Sequence, residues 1–235
     1  LRDKVASGVA WSMAEKVGTM LLQLAVSLTI LRLLNPAIMG VIAIPTAFLA
    51  VAIVIADSGF SQALIRKGSP TADDYKSVFA FNVGVALVLY GVLVALAGSI
   101  ARFYDMPEIT RIAPVFFLQL PLSAACAIQN TIFVRTFRFA LLSKVTFASW
   151  FIAGMVAIGL ALAGFGIWCI VVQRVLQASV RALLLWWLSD WRPCGKCSRR
   201  PLCEMAPYSF SLLATDFIST LYNNCLLYTS DAADD

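Results

Sequence analysis

Apolar residues in this chain arrive in blocks of about twenty, the length a helix needs to cross roughly 30 Å of hydrocarbon. Six such blocks lie between charged or turn residues, at 9–34, 38–56, 78–100, 112–134, 145–165 and 167–188, and a seventh begins near Pro207. Within hydrocarbon every backbone N–H and C=O must be paired inside the protein, which leaves helices or closed barrels. Barrel strands alternate in polarity over about ten residues. The run VGVALVLYGVLVALA (83–97) has no such alternation. Charged residues make up only 13% of the 235 and mean hydropathy is +0.84, so lipid is the solvent for most of the chain. The fold class is therefore an all-α polytopic membrane protein.

Lys and Arg set the orientation. Twelve fall in the amino-terminal segment and in the second, fourth and sixth connections, against three (Arg32, Arg102, Arg111) on the other side. This alternation places the amino terminus in the cytoplasm. The net charge of +5 is thus a topology signal, and no aromatic-and-basic strands of the kind that stack on bases accompany it, so nucleic acid is not an expected partner. Asn35-Pro36 and Gly164-Phe165-Gly166 mark tight turns, so spans one and two, and five and six, are expected to pair as hairpins. Pro45, Pro114 and Pro121 each remove an intrahelical hydrogen bond and predict bends.

Polar side chains at helical spacing inside these spans mark faces turned to protein or to a hydrated cavity. Ser12, Lys16, Thr19, Gln23 and Ser27 form one such face on the first span, with Glu15 beside it. Gln119, Ser123, Cys126 and Asn130 form another on the fourth. On the sixth, Gln173, Arg174, Gln177 and Arg181 fall within about 100° of circumference at roughly 100° per residue. Ser209, Asp216, Ser219, Thr220 and Asn223 cluster on one side of the seventh. Interhelical hydrogen bonding accounts for single Ser, Thr, Gln or Asn residues, and Lys16 and Arg181 lie where snorkelling to the interface is open to them. Arg174 is too deep for that reading and suits an anionic ligand group in a cavity.

The sequence lacks His and a G-x-x-x-x-G-K-[ST] loop, which removes the usual catalytic triads and a nucleotide site. An enzyme is not expected and no cofactor is. Cys194, Cys197 and Cys203 supply three thiols where a closed zinc site takes four ligands, so no metal is assigned to them.

Several strings carry a family resemblance: DSGFSQALIRK (57–67), TADDYKSVFAFN (71–82), IARFYDMPEI (100–109), FVRTFRF (133–139), GFGIWCIVVQ (164–173), LLLWWLSDWRP (183–193) and YSFSLLATDFISTLYNN (208–224). Together they resemble the colanic-acid and O-antigen type polysaccharide exporters of the multidrug, oligosaccharidyl-lipid and polysaccharide exporter superfamily. The resemblance implies two six-helix lobes of 12 to 14 helices in a bacterial inner membrane. It also implies alternating-access translocation of undecaprenyl-pyrophosphate-linked oligosaccharide, with H+ or Na+ as coupling ion. Residues 1–200 are then one six-helix lobe and 201–225 the opening of a second. The final LLYTSDAADD (226–235) resembles a translated sequencing-adapter fragment and is set aside. On this reading Lys16, Gln23, Gln173, Arg174, Gln177 and Arg181 are cavity residues for the substrate, and Glu15 and Asp216 are candidates for ion coupling or an internal ion pair. The alternatives are a small-solute or multidrug exporter of the same superfamily and a membrane-embedded glycosyl- or acyltransferase using loop carboxylates such as Asp105 or Glu108.

Overall fold

A computed structural model describes residues 2–33, 36–57, 59–193 and 199–231. Among them the regular structure is helical throughout: α1 (Arg2–Leu33), α2 (Pro36–Asp57), α3 (Phe60–Arg66), α4 (Ala72–Phe103), α5 (Glu108–Phe116), α6 (Gln119–Arg135), α7 (Phe139–Leu162), α8 (Trp168–Leu188) and α9 (Arg199–Asp231). Six segments are long and apolar enough to cross a membrane: α1, α2, α4, α5 with α6, α7, and α8. The chain is a multi-pass membrane protein. Helix α9 continues through 226–231, whose side chains, with residues 232–235, lie outside the described residues.

The fourth span is two helices, and the sequence shows why. Pro121 has no N–H to offer the Phe117 carbonyl one turn back. That carbonyl instead accepts from Leu120 N at 2.9 Å in a tighter turn. The neighbouring orphan, Phe116 O, accepts from the Gln119 side chain at 2.8 Å. Pro114 O is taken by the Tyr90 hydroxyl of α4 at 3.0 Å, so the break is tied to the helix beside it.

Helix α4 starts at a capping box, in which Thr71 Oγ1 accepts from Asp74 N at 3.3 Å and Asp74 Oδ2 from Thr71 N at 2.8 Å. Its 32 residues span about 48 Å at ~1.5 Å per residue, well beyond the hydrocarbon thickness. Helices α7 and α8 pair through a turn with positive φ at Gly164 and Gly166, as the sequence predicts. For the other expected hairpin, no comparable packing of α1 along α2 occurs among the described residues. Helix α1 packs along α7, where Gly18 faces the Phe147 ring and Gly154 faces Val26. Small residues at this contact let the two backbones approach, the usual device where lipid removes the hydrophobic drive between helices. From α7 the packing passes to α8, then α6, α4 and α2, and α9 lies against α2, α3 and α4.

Helix α3, within the second connection, is held from two sides. Arg135 at the end of α6 donates to the carbonyls of Leu64 (2.6 Å), Ile65 (2.8 Å), Lys67 (2.7 Å) and Gly68 (3.3 Å). The guanidinium satisfies the carbonyls that the end of a helix leaves without donors. Beneath it Phe60, Ala63, Leu64, Val78, Ile128 and Met205 form a small core of their own, contributed by α3, α4, α6 and α9.

Candidate functional site

Helix α8 presents its polar stripe to two different neighbours. Gln173 is buried, Gln177 is half-buried and Arg174 is exposed. The Arg174 guanidinium lies over the Trp150 ring of α7, 5.7 Å from its centroid, a cation–π arrangement. Seven residues on, Arg181 turns instead toward α6. Its Nη2 donates to Asn130 Oδ1 at 3.3 Å, and its buried Nε has no hydrogen-bond partner. Trp186, five residues further along α8, belongs with Tyr75, Phe79 and Trp191 to an aromatic cluster of the kind that sits at a membrane interface. Arg181 is therefore about 7–8 Å deeper than that cluster, yet its side chain is directed across the bundle rather than back toward the interface.

Arg181 opens onto a cavity of about 260 Å³ lined by α2, α3, α6 and α8, in which Asp57, Ser61, Ser123, Cys126 and Asn130 join it. The fourth-span stripe thus supplies Ser123, Cys126 and Asn130, as its spacing predicts. The opposite wall comes from residues the sequence reading did not select. Asp57 accepts from the Ser61 hydroxyl, a short contact, and from Asn82 Nδ2 at 3.5 Å. Asn82, buried on α4, also donates to Ser61 Oγ at 3.4 Å. The available signal was a carboxylate and a hydroxyl four residues apart at the end of an apolar block, and a lone amide within the next one.

The remaining candidates disperse. Lys16 is exposed and Gln23 half-buried on α1, flanking the buried Thr19 and Val26. Neither lines the cavity. The Glu15 side chain lies outside the described residues. Asp216 on α9 is half-buried and accepts from Gln62 Nε2 at 3.1 Å, which places it beside the turn that carries Asp57 and Ser61. Ser209 is buried and Ser219 exposed, while the side chains of Thr220 and Asn223 lie outside the described residues. Cys194 and Cys197 also lie outside them, and Cys203 is exposed.

Helix α9 docks on this same turn. Gly59, with φ +68°, faces the Ser209 backbone. The Arg66 guanidinium lies 4.7 Å from the Tyr208 ring centroid. Lys67 pairs with the buried Asp74 at 2.8 Å and reaches Glu204 of α9 at 3.7 Å.

The arrangement is a polar chamber inside a helical membrane bundle, with one arginine, Arg181, and one carboxylate, Asp57, in its wall. Among curated proteins, the chain is 26% identical over 212 residues to the succinoglycan biosynthesis transport protein ExoT of Rhizobium meliloti (strain 1021), covering 90% of this chain and 43% of that one. It is 21% identical over 218 residues to an uncharacterized membrane protein in the cps region of Klebsiella pneumoniae, covering 90% and 44%. The chain thus spans less than half the length of these relatives. No solved structure matches it. Residues 29–227 match the model of a family described as polysaccharide biosynthesis protein, which takes in most of the chain, and the chain belongs to that family.

Proposed function

We propose that the chain forms one lobe of a polysaccharide exporter that translocates lipid-linked oligosaccharide, on an undecaprenyl-pyrophosphate carrier, across a bacterial inner membrane by alternating access. Its amino terminus is cytoplasmic in this reading, and H+ or Na+ drives the cycle. A glycan and a pyrophosphate cannot enter hydrocarbon, whereas a polyprenyl tail belongs in it. The carrier protein must offer a cationic, hydrated face open to lipid.

The observation that carries this reading is the pair of arginines on one face of α8. Neither Arg174 nor Arg181 has a carboxylate partner among the described residues. An unpaired guanidinium at such depth is costly unless water or an anion meets it, and its planar donor fork matches phosphate oxygens. The relative named as a succinoglycan transport protein supports polysaccharide as the cargo class.

The test is translocation of a fluorescent lipid-linked oligosaccharide in proteoliposomes, using the protein expressed from its native gene. Arg174→Ala inserts normally and loses translocation, and Arg174→Lys retains part of it. Wild-type flipping by Arg174→Ala would remove this residue from the mechanism. Transfer of the glycan to another molecule would favour a transferase instead.

A further inference from the structure

Three chain reversals in this bundle close with the same pair of backbone bonds, and one of them is built on an unsuitable residue. After α4, Met106 N donates to Ala101 O at 2.9 Å and Asp105 N to Arg102 O at 3.4 Å. After α7, Phe165 N donates to Leu160 O and Gly164 N to Ala161 O, both at 3.1 Å. After α6, Arg138 N donates to Phe133 O at 3.0 Å and Phe137 N to Val134 O at 3.1 Å. Each reversal puts one residue in the left-handed region, with φ +54° at Asp105, +79° at Gly164 and +55° at Phe137. Glycine takes this conformation freely and aspartate tolerates it, whereas phenylalanine there sets its Cβ against the following carbonyl oxygen. Little of the ring is buried in return. Phe137 is 66% exposed and leans edge-on against Phe139, with 6.0 Å between centroids. A strained residue that persists in this way points to a contact its own chain does not supply.

The length of the connection says what surrounds the ring. The membrane-crossing segments end at Arg135 and resume at Phe139. The Cα steps between them reach about 14 Å fully extended, so a turn that goes out and back rises only about 7 Å. A headgroup layer is roughly 5–8 Å deep on each side of the hydrocarbon. Phe137 therefore stays among the headgroups, at the end of the bundle where α8 also finishes and Trp186 and Trp191 pack together. The turn is basic as well. Arg138 is exposed and pairs with no carboxylate among the described residues, and the sequence has no Asp or Glu between Glu108 and Asp190.

We propose that the turn between α6 and α7 is a docking site for anionic phospholipid headgroups, with Phe137 as its apolar anchor and Arg138 as its phosphate contact. A ring without a polar atom belongs at the boundary of headgroups and acyl chains. The guanidinium beside it offers paired donors to a phosphodiester. A zwitterionic headgroup carries its own cation next to the phosphate, so the basic turn selects lipids of net negative charge. An acidic soluble partner would need the ring to stand above the headgroups, which the short connection prevents. The site requires no particular cargo, so it is independent of the export reading.

Photocrosslinking with p-benzoylphenylalanine in place of Phe137 tests this. The protein is placed in nanodiscs of equal phosphatidylglycerol and phosphatidylcholine and irradiated, and its adducts are identified by mass spectrometry. Lipid adducts should form, with phosphatidylglycerol in roughly fivefold excess, the preference that one surface cation confers. Arg138→Gln should bring the ratio close to one, and Arg138→Lys should keep most of the excess, which separates charge from any effect on folding. Equal capture of the two lipids with Arg138 present overturns the proposal, as does a ratio that Arg138→Gln leaves unchanged. Loss of the preference to excess inorganic phosphate at constant ionic strength assigns Arg138 to a free anion, and adducts to protein rather than lipid in native membranes assign the turn to a protein partner. Either result also overturns it.

Discussion

Gly59 approaches α9 so closely that a Cβ on it would stand 2.7 Å from the carbonyl oxygen of Ser209 and 3.0 Å from Leu212 Cβ. Its φ of +68° adds a conformation that other L-residues adopt only with strain. Gly59→Ala is expected to cost about 1–2 kcal/mol for the backbone alone and to push α9 off the turn as well. Limited proteolysis of α9 should accelerate in this variant. Gly84→Ala, on a face of α4 with nothing within 4 Å of the new methyl, should leave the rate unchanged.

Arg135 is the fastening of α3 to α6. Removing a charged donor that serves four carbonyls is expected to cost on the order of 2–3 kcal/mol. Hydrogen exchange should then quicken across residues 60–67 in Arg135→Ala. Arg135→Lys should restore only part of the protection, because one ammonium cannot reproduce the spread of the guanidinium fork.

The contact between α1 and α7 tests a size match. A Cβ on Gly154 would meet Val26 Cγ2 at 2.9 Å. Gly154→Ala should therefore destabilise by about 1–3 kcal/mol, the range for overpacking. Adding Val26→Ala should recover much of that loss. A double-mutant cycle on thermal stability in micelles measures the coupling, and strict additivity would show that the helices separate freely instead.

Trp150 meets Arg174 with its ring face. Trp150→Leu should lower the rate of lipid-linked oligosaccharide translocation less than Arg174→Ala does, since a cation–π contact contributes roughly 0.5–2 kcal/mol. Trp150→Phe, which keeps an aromatic face, should fall between Trp150→Leu and the wild type. Equal defects in Trp150→Leu and Arg174→Ala would mean that the ring acts on substrate directly.

The spans and their count were legible because hydrocarbon imposes one length on every crossing. The hairpin of α7 and α8 was legible from its glycines. What escaped were relationships between blocks. Proline spacing announced a bend in the fourth span, but the division at Phe117 depends on Tyr90 and Gln119 collecting the freed carbonyls. Helix α1 was assigned to α2 because a tight turn joins them in sequence, whereas the small side chains of Gly18 and Gly154 give it α7. Within the site, charge drew attention to Arg181, and periodicity to Asn130. Asp57 went unselected because it ends an apolar block where a carboxylate is ordinarily solvated. Asn82 did so because a single amide carries no periodicity. Only the folded turn brings those two into contact.

The length of α4 has a mechanical consequence. A rod of about 48 Å turned by only about 10° around one end carries its other end through roughly 8 Å, more than one full pitch of a helix. Its amino-terminal end is fastened to α3 through Lys67 and Asp74, and α3 to α9 through Glu204, Tyr208 and Asp216. A slight tilt imposed at the far side of the membrane is thus delivered as a large stroke to the junction with the polypeptide that follows the sixth span, with α4 as the lever.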